Sequence, residues 1–141
     1  MSKDVEAALA RIDDAQAALR KKLKRVARAR LEAQPTPGVW SPMEHVRHLV
    51  FAEQHHFSPF LRGFRWSSVG VAPPNRTGER RLNSVGKDGA GTIDDVFDAW
   101  ARVHGVVRGI AMPEAVKLRA LEGNLRHVQF HAGEVDRLLR E

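Results

Sequence analysis

The 141-residue chain carries seven histidines and no cysteine, so imidazole is the metal-binding and acid–base group it has most to offer. Without a thiol, disulfides, thiolate metal sites and an internal sulfur nucleophile are excluded, and any sulfur chemistry needs a thiol from outside. His127 and His131 stand at i and i+4 in a segment with helical periodicity, so both rings leave the same side and can converge on one ion. Projected at about 100° per residue, the pair borders the apolar stripe, with Asn124 between stripe and pair. His45 and His48 border the stripe of an earlier segment in the same way, and a neighbouring helix can bring a third imidazole to the pair. Three neutral nitrogens suit zinc, nickel or iron.

Other chemistries find little support. No G-x-S-x-G elbow is present. Gly86-Lys87-Asp88-Gly89-Ala90-Gly91 fits neither phosphate-binding fingerprint and follows no strand pattern, so it reads as a linker. The net charge of +6 invites a nucleic-acid reading. However, Arg20, Lys21, Lys22, Lys24, Arg25, Arg28 and Arg30 are interrupted by Leu23 and Val26 at helical spacing, as on a solvated helix face. No recognition-helix motif accompanies them, and nucleic acid is not an expected partner.

The elements that would position the histidines are all helical. Val5, Leu9, Ile12, Ala15, Leu19, Leu23, Val26 and Leu31 form one stripe, predicting a first helix that ends before Pro35 and Pro37. Ser41, Pro42 and Glu44 form a capping box with proline at the first position, opening a second helix that runs to about Phe57. From Arg62 to Gly91 periodicity dissolves into a connection of the length often found at functional sites. Thr92 and Asp95 cap a third helix through Val96, Phe97, Trp100, Val103, Val107 and Ile110. After Met112-Pro113 a last helix carries Leu121, Leu125, Val128, Ala132, Val135 and Leu139. The expectation is an all-α chain, one domain over residues 1–141, folded as an up-down four-helix bundle with a long crossover between helices two and three. With no signal-peptide run and no stretch approaching the ~20 apolar residues of a membrane span, a cytoplasmic location is expected.

Several polar residues fall on buried faces. Glu53 shares the face of Val46 and Leu49 and needs a partner, either an imidazole or a basic loop residue. His104 is expected as a hydrogen-bonded core histidine, with Trp100 in the core and Trp40 packing at the start of the second helix. His55 and His56 are expected to meet solvent. Trp66, in the long connection, is a pocket candidate.

Trp40-Ser41-Pro42-Met43-Glu44-His45-Val46-Arg47-His48-Leu49-Val50-Phe51-Ala52-Glu53 resembles the W-S-x-x-E-x-x-x-H-L-x-x-x-E signature of DinB-like (YfiT-like) proteins. His127-Val128-Gln129-Phe130-His131-Ala132-Gly133-Glu134-Val135 resembles the H-x-x-x-H-x-G-Q-I segment of the same family. The resemblance implies a four-helix bundle with one divalent ion held by His48, His127 and His131, leaving His45 a neighbour rather than a ligand. Glu134 stands where the family often has Gln, and its carboxylate could orient a ligand, contact substrate or face water. The resemblance further implies zinc first, then nickel or iron, and a thiol-dependent S-transferase or isomerase using a small thiol such as bacillithiol or mycothiol. A small-molecule substrate and a homodimer belong to the same expectation, and Arg62, Arg65, Arg76, Arg80 and Arg81 could receive anionic groups. The competing readings are a metal-dependent hydrolase using metal-bound hydroxide and a noncatalytic binding or stress-response scaffold.

Overall fold

The computed structural model describes residues 1–60 and 92–140. Among them are α1 (Lys3–Leu23), α2 (Arg28–Glu32), α3 (Pro42–Phe57), α4 (Ile93–Gly109) and α5 (Glu114–Arg140), with a 3-10 turn at Ser58–Phe60. Three of the four long helices start where a short polar side chain satisfies a free amide. Ser2 accepts from Val5 N at α1, Ser41 and Glu44 cap each other's backbone at α3, and Thr92 and Asp95 do the same at α4.

The first helix is shorter than its stripe predicts. It stops at Leu23, the chain turns through Lys24–Val26, and one further helical turn, α2, carries Leu31 into the core. A continuous helix would stack Lys21 on Arg25 and Lys24 on Arg28 at i,i+4, where like charges repel. The turn relieves that while Val26 and Leu31 still reach apolar neighbours. The basic cluster is largely paired rather than simply solvated. Arg20 binds Asp94 and Asp98, Lys24 binds Asp94, Lys22 binds Asp136, and Arg30 donates to the Leu139 carbonyl.

These and other ties give the helix directions. α1 and α5 run parallel, because Ser2 N donates to Glu114 at one end and Lys22 meets Asp136 at the other. α1 and α4 are antiparallel, with Arg20 on Asp94 and Asp13 on Arg108. α3 packs against α4 and α5, as α1 does, so α1 and α3 occupy diagonal corners of a four-helix bundle. The order of directions is up, down, down, up. The neighbours α3 and α4 are thus parallel. The long crossover expected there lies outside the described residues.

Apolar stripes from all four long helices meet in the core, where Leu9, Ile12, Val46, Leu49, Trp100, Val103, Leu121 and Val135 are fully buried. Each such side chain contributes roughly 1.5–3 kcal/mol by leaving water. α2 is held on α3 by Arg47, whose guanidinium is buried and grips Glu32 at 2.6 and 3.0 Å. No helix among the described residues is long and apolar enough to cross a membrane.

Candidate metal centre

A buried carboxylate fixes how α3 meets its neighbours. Glu53 has no exposed surface. Its Oε1 accepts from Asn124 Nδ2 at 2.8 Å and Trp100 Nε1 at 3.2 Å, and its Oε2 lies 2.8 Å from His104 Nδ1. His104 Nε2 in turn faces the Leu9 carbonyl at 3.3 Å and Asp13 at 3.2 Å. With oxygens on both sides, both ring nitrogens donate. Burial pulls the His104 pKa down, but the hydrogen bond and charge of Glu53, with Asp13 and Leu9, outweigh it and leave the value raised. The partner Glu53 needs is thus an imidazole, and one carboxylate joins α3 to α4 and α5 directly and to α1 through His104. Asn124 serves this network rather than the histidine pair.

The same network sets the register of the histidines. His48 lies five residues before Glu53 on α3, and His127 and His131 lie three and seven beyond Asn124 on α5. In antiparallel helices those positions share a level, about 7.5 Å along the bundle from Glu53. There His127 Nε2 is 3.2 Å from His48 Nε2 and 2.9 Å from His131 Nε2. One nitrogen from each ring falls within 4.8 Å of the others.

The two separations from His127 Nε2 are close to those between nitrogens sharing a cation. Three nitrogens about 2.1 Å from one ion sit roughly 3.0–3.4 Å apart at bond angles of about 90–110°. Hydrogen bonds alone satisfy the cluster poorly, because a single His127 Nε2 proton cannot serve two neighbouring nitrogens at once. Two of the rings are also held toward the neutral form a metal needs. Burial, with His48, His127 and His45 alongside, pulls the His131 pKa down to about 3. His127 is lowered by burial and by His56. His127 Nδ1 is buried with no hydrogen-bond partner among the described residues.

Around this triad the other expected site residues separate. His45 touches the far side of the His131 ring, its Nδ1 lying 2.8 Å from His131 Nδ1. Trp40 covers the site, with its ring 4.7 Å from that of His48 and 6.1 Å from that of His131. Read from sequence only as packing at a helix start, it forms a wall of the site. The available signal was its place just before the Ser41 cap, where an apolar residue packs on the fourth helical position, here His45, at 5.5 Å. Glu134 is half-buried, pairs with Arg137 at 2.8 Å, and has its carboxyl pKa lowered by that bond. Together with Val39, Trp40 and His45, this pair lines a cavity of about 260 Å³ beside the triad. His55 and His56 are exposed, as expected. Trp66 and the five loop arginines lie outside the described residues.

A family model described as the DinB superfamily matches residues 4–112. No curated protein and no solved structure matches the chain. The matched stretch contains His48, Glu53 and His104 but ends before His127 and His131, whose part in the site therefore rests on the geometry.

Proposed function

The chain belongs to the DinB superfamily, and on that footing we propose that it is a divalent-metal-dependent enzyme joining a small thiol to, or isomerising with its help, a small-molecule substrate. The observation that carries the reading is the convergence of His48, His127 and His131 nitrogens within 4.8 Å. Three protein ligands leave coordination positions free, the pattern of catalytic rather than structural sites. Zinc suits the donor set best, with nickel and iron next. A bound ion would supply Lewis acidity toward a thiol or a water molecule.

The chain's own residues do the rest. His131 and His127 stay neutral and available as donors at ordinary pH. Trp40 shields one side of the triad from water. The adjoining cavity offers apolar surface from Trp40 and Val39 and both signs of charge from Glu134 and Arg137, a fit to a small polar molecule with an apolar part. Because the chain lacks cysteine, a thiol nucleophile has to arrive as a cosubstrate. The same reading takes the protein as a homodimer. Phe130, 61% exposed beside His131, is the more exposed of two large apolar side chains on the surface of α5, with Val116, and is suited to such a contact; light scattering of Phe130→Glu against the parent measures it.

The test begins with elemental analysis of untagged protein, followed by assay of the zinc-, nickel- and iron-loaded forms on electrophilic substrates with and without added thiol. Turnover that requires both metal and thiol supports the reading. Metal-dependent turnover indifferent to thiol selects hydrolysis instead. Metal-free protein that takes up no ion leaves a noncatalytic scaffold.

A further inference from the structure

His131 engages a neighbour through both nitrogens: Nε2 faces His127 at 2.9 Å and Nδ1 faces His45 at 2.8 Å. A neutral imidazole that donates its Nε2 lone pair to a cation carries its proton on Nδ1. The atom 2.8 Å from that proton's nitrogen then has to accept it, so His45 presents a lone pair at Nδ1 and bears its own proton on Nε2. We infer that His45 is a positioning residue, which by accepting the Nδ1 proton of His131 fixes that ring's tautomer and aims its Nε2 at the metal position.

The surroundings hold this arrangement in place. His45 is buried, its ring edge is set against Trp40 at 5.5 Å, and its backbone sits in the first turn of α3, downstream of the Ser41 and Glu44 capping box. An acceptor fixed on one helix therefore orients a ligand on another. Ligand histidines usually donate to a carboxylate, a carbonyl or water. A neutral imidazole in that role adds no negative charge to the ligand, so the ion it supports stays a stronger electrophile than one backed by a carboxylate. His45 also lines the cavity beside the triad, so the group that orients His131 is within reach of whatever occupies that cavity.

This inference rests on the metal-site reading above, and the experiment separates the two. Zinc and cobalt affinities are measured by chelator competition for the parent, His45→Leu and His45→Asn, with visible spectra of the cobalt forms and nitrogen NMR of the His131 ring. Leucine keeps apolar contact with Trp40 and removes the acceptor, whereas asparagine can return an oxygen near the place of Nδ1. The expected result is affinity weakened about 10- to 100-fold in His45→Leu, restored to within about threefold of the parent in His45→Asn. The protonated Nδ1 resonance of His131 should be seen in the parent and the Asn variant, with unchanged helical circular dichroism in all three. Equal affinity in the parent and His45→Leu, or equal losses in both variants, overturns the role of His45 and leaves the triad standing. A parent that binds neither ion removes the triad reading and this one with it.

Discussion

Replacing Glu53 by leucine tests the network on which the register depends. The substitution roughly conserves volume but strips the acceptor from Trp100 Nε1, Asn124 Nδ2 and His104 Nδ1, none of whose residues is more than 2% exposed. Removing one partner of a buried ion pair costs about 3–5 kcal/mol, and the stranded neutral donors add to the loss without summing simply. Against a total stability of about 5–15 kcal/mol, the variant should melt roughly 10 °C or more below the parent. Glu53→Gln separates charge from hydrogen bonding. Its oxygen still serves Trp100 and Asn124, and its amide can donate to a neutral His104 that gives its remaining proton to the Leu9 carbonyl, so the cost should fall to about 1–2 kcal/mol.

The charge has its own signature in pH. Because the folded pKa of His104 is raised, its contribution to stability is complete below the unfolded value of about 6.5 and is lost as pH rises through the folded value. Urea unfolding of the parent and Glu53→Gln, followed by circular dichroism at pH 6 and pH 9, should show a gap that narrows at the higher pH. Glu53→Leu with His104→Leu should recover part of the single-variant loss, since no buried charge is then stranded. A Glu53→Leu protein within about 1 kcal/mol of the parent, or a gap that widens with pH, would refute the reasoning.

Three other outcomes are expected. His48→Ala, His127→Ala and His131→Ala should each remain helical and lose the near-stoichiometric metal of the parent by elemental analysis, and retention in any one removes that residue from the ligand set. Zinc binding at pH 6, followed by calorimetry in buffers of different ionisation enthalpy, should release well under the ~2 protons that three ordinary imidazoles would give up. His131, pulled down to about 3, is already deprotonated there, and burial shifts His127 in the same direction; the same lowered values make the metal-free protein less stable as pH falls below about 6.5, where the unfolded chain takes up protons that the folded one refuses. Glu32→Ala strands the buried Arg47 guanidinium and should cost about 1–2 kcal/mol in urea unfolding, discounted because Glu32 is partly exposed; a loss below about 0.5 kcal/mol would show that water replaces the carboxylate.

What the sequence made legible was local. The capping boxes at Ser41 and Thr92 and the apolar stripes depend on residues within a turn or two of one another, and the helix starts follow them. The end of α1 was not legible in the stripe, because Val26 and Leu31 keep helical spacing while the backbone turns away and returns as α2. In the site, the i,i+4 pair His127 and His131 is equally local. The choice between His45 and His48 as third ligand is not, since both border the stripe of α3, and only the resemblance favoured His48. The structure separates them through contacts remote in sequence: Glu53 with Asn124 sets the antiparallel register, which puts His48 Nε2 against His127 and His45 Nδ1 against His131.

That register also separates charge along the bundle. Two buried carboxylates flank His48 in sequence: Glu44 accepts from Ser41 N and Gln34 Nε2 at the helix cap, and Glu53 is committed to His104 one level away, while Glu134 is committed to Arg137. The triad itself contains no anion, and burial first of all holds the pKa values of His127 and His131 below that of an ordinary imidazole. An ion held there would therefore retain its full positive charge in a low-dielectric setting, where attraction for an anionic ligand is stronger than in water. A carboxylate in the ligand set would tighten metal binding but spend part of that charge. The all-imidazole arrangement, with an imidazole rather than a carboxylate behind His131, instead favours an ion that draws a thiolate or another anion to itself. This is why the chemistry proposed for the site follows from where the carboxylates are held as much as from where the histidines meet.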